Sequence, residues 1–309
     1  MQPSRRLAAL AATVFLVAAC TGATATPAPT EAPTAAPTAA APTATPDPCA
    51  PESLATVAAG TLTIGTDNPA YPPYFEPSDP ATAPWELGDP TNGKGFEAAV
   101  AYALADRLGF GADAVAWTVV PFDNSYAPGP KTFDVYLAQV SYKPDRAETA
   151  DLSDGYYYVA QSVVALAGTP AASAMSIADL KGLRFGAMIG TTSYDTIVNV
   201  IAPTTTPSVY NSNDDAIAAL NAKQIDAIVV DLPTAFYITA VQLEDGVIVG
   251  QFPTTPGPDA ERFSLVLAKG SPLTSCVNAA IASLSGDGTL AAITQEWLAD
   301  KVNAKVLQP

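Results

Sequence analysis

Between Thr21 and Pro48 nearly every residue is Thr, Ala or Pro, and this stretch limits what the chain can fold into more than any other. It has neither a helical nor a strand period, so burial cannot offset the entropy of ordering it. Regular prolines bias it toward extended polyproline II at about 3.1 Å per residue, a reach on the order of 80 Å. A packed core must therefore come from the about 250 residues that follow, a size at which one core usually becomes two.

Upstream, Arg5 and Arg6 precede an apolar run from Leu7 to Ala19 that reaches Cys20 through Leu16-Val17-Ala18-Ala19. The run is too short to cross a hydrocarbon layer of about 30 Å and reads as a secretory signal peptide over residues 1–19. Small residues just before a cysteine resemble a bacterial lipobox, which implies that Cys20 begins the mature chain and carries a lipid anchor. Cys49 and Cys276 remain as an even pair in an exported, disulfide-permissive chain, and they are expected to bond.

Charge and residue usage exclude several function classes. With 30 Asp and Glu against 14 Lys and Arg, a net charge of −16 repels phosphate backbones and anionic headgroups, so no nucleic-acid partner is expected. The chain has no histidine, which removes Ser-His-Asp and Cys-His catalysis and every His-containing zinc site. Ordinary hydrolase chemistry is therefore not expected, and neither a metal nor a cofactor is expected.

Thr61 to Thr66 reads as a strand that ends at Asp67 and enters the turn-rich Asn68-Pro69-Ala70-Tyr71-Pro72-Pro73-Tyr74. Phe96, Ala99, Val100, Ala103, Leu104 and Leu108 recur at helical spacing until Gly109. Strands follow at 115–119 and 133–140. A second α/β unit opens at Ser176-Ile177-Ala178-Asp179, which resembles a capping box. It continues with a strand at 183–188, a helix at 214–221, a buried strand at 227–230 ending at Asp231, and a helix at 233–241. A strand at 263–267 and helices near 275–284 and 290–298 complete an α/β order.

Gly65-Thr66-Asp67 with Tyr71-Pro72-Pro73-Tyr74, Gly95-Phe96-Glu97, the stretch from Ser141 to Tyr157, and Gly190-Thr191-Thr192-Ser193 occur in that order. Together they resemble the extracytoplasmic solute-binding proteins of polar amino-acid ABC transporters, family 3, from about Thr61 to Leu298. The resemblance implies a two-lobed periplasmic-binding-protein type II (Venus-flytrap) fold, with crossing strands near 158–161 and 261–263. It divides the chain into a linker over 20–51, lobe 1 over 52–160, lobe 2 over 161–260 and a return to lobe 1 over 261–309.

By the same resemblance, Arg146 grips the ligand's α-carboxylate, helped by Ser141 and by Thr191 and Thr192 of the second lobe. Asp231 receives the α-ammonium, Tyr71 and Phe122 sandwich the aliphatic part, and Asp67 reads the side chain. A planar guanidinium suits a carboxylate because it offers two parallel donors. Taken singly, Arg146 also fits a surface ion pair with Asp145, Glu148 or Asp151, and Asp231 fits a helix cap before Pro233. Two residues depart from the family pattern: Gln139 stands where many relatives have glycine, and Glu97 where aspartate is usual. The loop from Glu76 to Lys94, with Trp85 and Glu86, is long enough to narrow the pocket.

The function implied is the substrate-binding component of an ABC importer: a monomer outside the membrane on its lipid anchor, which hinges shut over an amino acid and docks on a permease. Two alternatives stand beside it. One is a cyclohexadienyl or arogenate dehydratase on the same fold with Asp67, Glu76 or Glu86 as acid; the other is a ligand-sensing lipoprotein.

Overall fold

The computed structural model describes residues 47–309 apart from 255–256, 258–259 and 299–302. The signal segment, Cys20 and the linker up to residue 46 lie outside the described residues.

The first sheet begins with β1 (Leu62–Thr66), followed by α1 (Phe96–Arg107), β2 (Val115–Val119), the short α2 (Phe122–Ser125), β3 (Val135–Tyr136), α3 (Pro144–Thr149) and β4 (Ala150–Tyr158). The chain then crosses to a second sheet. This comprises β5 (Gln161–Leu166), α4 (Ile177–Leu180), β6 (Phe185–Met188), α5 (Thr192–Thr196), β7 (Ser208–Tyr210), α6 (Asn213–Asn221), β8 (Ala227–Asp231), α7 (Leu232–Tyr237) and β9 (Gly246–Gln251). A second crossing returns the chain to the first sheet as β10 (Arg262–Ala268), and α8 (Thr274–Gly286) and α9 (Thr289–Leu298) pack on that lobe.

Strand order is β2-β1-β3-β10-β4 in one sheet and β7-β6-β8-β5-β9 in the other. Within each sheet a parallel trio meets antiparallel strands contributed by the crossings, with β10 beside β3 and β4 and β5 beside β8 and β9.

Both faces of each sheet are covered, and the strands show it residue by residue. Val135, Leu137, Leu265 and Leu267 enter one apolar cluster while the intervening Tyr136 and Val266 enter another on the opposite face. In the second sheet Val163 and Val229 point one way and Val164, Ile228 and Val230 the other. Strands buried on both sides need unbroken apolar runs, which is why 227–230 contains no polar residue. The 133–140 stretch, expected to be one long strand, forms a regular strand only over Val135–Tyr136.

Two boundaries differ from the sequence reading. Cys49 is bonded to Cys276 and packs against the first lobe's core, and a turn of helix forms at Pro51–Ser53, so that lobe begins before residue 52. At the other end the chain does not stay with the first lobe. Val306 bridges Gln251, Gln308 bridges Ser176, and Leu307 is fully buried in the second lobe's core. The unpaired edge of β9 supplies the hydrogen bonds for this return, with Leu307 N–H donating to Gln251 O at 2.9 Å.

Candidate functional site

The carboxyl ends of the parallel strands face a cleft between the sheets, where α/β architectures place ligands. The cleft holds a cavity of about 360 Å³, within the range of small-molecule sites. Asp67, Tyr71, Phe122, Ser141, Arg146, Thr191, Thr192 and Asp231 all border it.

Asp67 follows the last residue of β1, and Phe122 opens α2 just after β2. Ser141 is held by a short ladder to the second crossing, in which Ser264 N–H donates to Val140 O at 2.8 Å and Tyr142 N–H to Arg262 O at 2.9 Å. Pro144 occupies the first position of α3, where its missing N–H costs nothing, and two residues on, the helix presents Arg146. From the second lobe, Gly190 turns the chain out of β6 with φ of 75°, and a Cβ there would lie 3.0 Å from the Tyr126 hydroxyl. Thr191 caps α5, accepting from Tyr194 N–H at 3.2 Å, while its own hydroxyl donates to Met188 O at 2.8 Å.

Arg146 is 4 % exposed. Its guanidinium donates to Ser141 O at 2.6 Å and, across the cleft, to Gly190 O at 2.7 Å, and it lies 4.7 Å from the Tyr126 ring and 5.3 Å from the Phe122 ring. Among the described residues no carboxylate forms an ion pair with it. Asp145 accepts the Arg146 backbone N–H and pairs with Lys143 at 3.6 Å, and Asp151 pairs with Lys269 at 3.6 Å, so the surface ion-pair alternative does not describe this arginine. A buried cation without an anion is costly, and neutral carbonyls and ring faces offset only part of that cost.

Asp231 occupies the capping position of α7, but its side chain caps nothing. Its Oδ1 accepts from Gln161 Nε2 at 2.6 Å, and the same amide nitrogen reaches Glu261 Oε1 at 2.9 Å. Burial and the neighbouring Glu261 carboxylate push the Asp231 carboxyl well above the usual range, while the Gln161 bond and the Arg146 charge oppose this. Ser141 Oγ also donates to Glu261 at 2.9 Å, and Ser193 Oγ to Gln161 Oε1 at 2.7 Å.

Gln161 and Glu261 were not singled out in the sequence, although each sits where a crossing was expected. The signal was available: Gln161 and Ser162 open a strand whose other residues are apolar. Tyr74, whose hydroxyl lies 3.2 Å from Thr234 Oγ1, and Asp214, which accepts from Tyr71 OH at 2.6 Å, also join the two lobes and were missed.

Gln139 and Glu97, the two departures from the family pattern, are partners. Gln139 takes a left-handed backbone, with φ of 51°, where glycine would be unstrained. Glu97 accepts its backbone N–H at 2.7 Å and also bonds its side-chain amide and the Tyr156 hydroxyl. Complete burial pushes the Glu97 carboxyl up to about 7, with these donors pulling against it.

The long loop after Glu76 does not narrow the cavity, and neither Trp85 nor Glu86 borders it. Gly88 N–H donates to Ala70 O at 2.7 Å and Glu86 N–H to Asn68 Oδ1 at 3.1 Å. The loop instead folds back to buttress the backbone beside Asp67.

Two five-stranded α/β lobes, joined by two crossings around a polar cleft, define a binding protein of the type II periplasmic fold. A model of the bacterial extracellular solute-binding proteins, family 3, matches residues 77–300, and the chain belongs to that family. It is 27 % identical over 241 residues to the L-cystine-binding protein TcyJ of Escherichia coli, which covers 77 % of this chain and 82 % of that protein. A solved ancestral arginine-binding protein bound to arginine superposes with a TM-score of 0.61 at 27 % identity, covering 77 % of this chain and 98 % of that one. The arginine-, lysine-, histidine-binding protein ArtJ of Geobacillus stearothermophilus shares the fold, with a TM-score of 0.60 at 18 % identity over 78 % of this chain and 96 % of that one.

Proposed function

We propose that this protein is the extracytoplasmic substrate-binding component of an ABC importer and holds a polar amino acid, with its α-carboxylate on Arg146 and its α-ammonium on Asp231. The observation that carries this reading is the buried Arg146 guanidinium, which borders a cavity and has no carboxylate partner among the described residues. A ligand carboxylate would supply the missing anion through two parallel bonds. Asp231 comes from the opposite lobe, so a zwitterion satisfies both charges only when the lobes meet around it, and occupancy is thereby coupled to closure. Thr191, Thr192 and Ser141 add hydroxyl or backbone donors around the carboxylate. Tyr71 and Phe122 form walls, and Asp67 faces the side chain. The amino-acid-binding relatives support the same assignment.

In this reading the chain is exported by its signal segment and anchored outside the membrane through a lipid on Cys20. There it acts as a monomer that delivers ligand to a permease, and it performs no chemistry on the ligand. Of the three candidate acids for the dehydratase alternative, only Asp67 borders the cavity. A thermal-shift panel of amino acids tests the proposal: a true ligand at 100 times its dissociation constant adds about 2.7 kcal/mol of stability. Absence of a shift with every amino acid, or turnover of prephenate or arogenate, would overturn it.

A further inference from the structure

We propose that the ligand's side chain carries a positive charge, and that Asp67 of the first lobe and Asp214 of the second are the carboxylates that select it. The inference rests on the amino-acid reading above.

Among the described residues, the charges that border the cavity are the carboxyls of Asp67, Asp123, Asp214 and Asp231 and one cation, Arg146. An amino-acid backbone satisfies Arg146 with its carboxylate and Asp231 with its ammonium. Asp67, Asp123 and Asp214 then remain, and among the described residues none of the three forms an ion pair with a lysine or arginine. A neutral ligand side chain leaves three carboxylates around the site uncompensated. An acidic one adds a fourth negative charge, whereas an ammonium or guanidinium offsets one in a site where water is partly excluded.

Contacts separate the two ends: Gln161, Thr192 and Ser141 link Asp231 to Arg146, whereas Tyr71 OH bonds Asp214 and its phenol also lies near Asp67. Asp67 is half-buried and accepts only backbone N–H groups, including Asn68 at 2.9 Å, so burial raises its carboxyl above the usual range. Asp214 stands exposed at the cavity mouth in the first turn of α6. A negative side chain there suits the helix dipole, but its carboxylate is also turned and fixed from both lobes. Tyr71 OH donates to Oδ2 at 2.6 Å from the first lobe, and Gln242 Nε2 to Oδ1 at 3.0 Å from the second. The Tyr71 ring also meets Tyr237 edge-on at 6.3 Å, so aromatic walls flank the same end. A cationic group seated there would lie between a carboxylate of each lobe and against aromatic faces.

Cystine makes the contrast sharp. Its far end brings a second ammonium and a second carboxylate, and among the described residues bordering the cavity no cation other than Arg146 stands ready for that carboxylate.

The test is calorimetric titration of the purified protein with L-arginine, L-citrulline, L-cystine and L-glutamate. Citrulline matches arginine in length and lacks its charge. Arginine is expected to bind at least about tenfold tighter than citrulline, a difference of about 1.4 kcal/mol, with cystine weaker than arginine and glutamate weakest. In Asp67→Asn and Asp214→Asn that arginine-to-citrulline ratio should shrink, with ligand-free melting curves showing that each variant is folded. A ratio near one in the unaltered protein, or tighter binding of cystine or glutamate than of arginine, overturns the cationic assignment while leaving backbone recognition in place. A tenfold ratio unchanged in both variants overturns the two carboxylates as its source. No binding of any of the four overturns the amino-acid reading together with the inference.

Discussion

Replacing Arg146 by methionine keeps the volume of the side chain and removes its charge. In the ligand-free protein the substitution loses two hydrogen bonds to carbonyls and two ring contacts. It also removes the several kcal/mol cost of burying an unpaired guanidinium, so the two changes nearly offset and ligand-free stability should move by less than about 2 kcal/mol. Binding should behave differently. A ligand carboxylate left in the cleft without its cation costs about 2 to 5 kcal/mol, or roughly 30-fold to a few thousand-fold in Kd. Calorimetry on the best amino acid from the thermal panel measures this loss. Parallel titration with the decarboxylated amine of the same ligand locates it. The unaltered protein should prefer the amino acid to the amine, and Arg146→Met should abolish the preference. An Arg146→Met protein that binds the amino acid with unchanged affinity, or keeps the preference intact, would refute the assignment of the α-carboxylate to Arg146.

Asp231→Asn should weaken amino-acid binding by about 2 to 5 kcal/mol. The same change should raise ligand-free stability at neutral pH, because it removes a carboxyl that burial and Glu261 hold above the usual range; chemical denaturation with and without ligand measures both signs. Glu97 has a folded pKa of about 7 against an ordinary 4.5, so the folded state holds its proton more tightly than the unfolded state. Its contribution to stability should therefore be fullest below about pH 4.5 and fall by about 3 kcal/mol as pH rises to 7. The stability difference between the unaltered protein and Glu97→Gln, followed across that window, should carry this slope, and a flat difference would refute it. The Cys49–Cys276 bond closes a sequence separation of 227 residues, for which loop entropy gives about 5 kcal/mol. Urea unfolding of a Cys49→Ser, Cys276→Ser protein should show a loss of a few kcal/mol, and an unchanged midpoint would refute it.

The parts of the site that came from the chain's own order were legible. Asp67 ends a β-patterned run and Asp231 an apolar one, and strand ends in α/β folds open onto the cleft. Gly190-Thr191-Thr192 reads as a turn into a helix because glycine accepts a left-handed backbone and threonine caps. Arg146 was more difficult. Three acids lie within five residues of it, and local spacing alone favours a surface ion pair. Only the fold turns its guanidinium away from them, toward the Gly190 carbonyl some forty residues on.

What the linear chain determined was whatever depends on near neighbours and composition: the α/β alternation, the apolar strands and the lack of histidine. The packed structure alone decided which distant polar groups share a dry space. It set Gln161 between Asp231 and Glu261, matched a left-handed Gln139 to a buried Glu97, and returned Leu307 to the second lobe. Periodicity encodes the face on which a residue lies, whereas the partner across a cleft depends on how two sheets are oriented, and no local pattern carries that information.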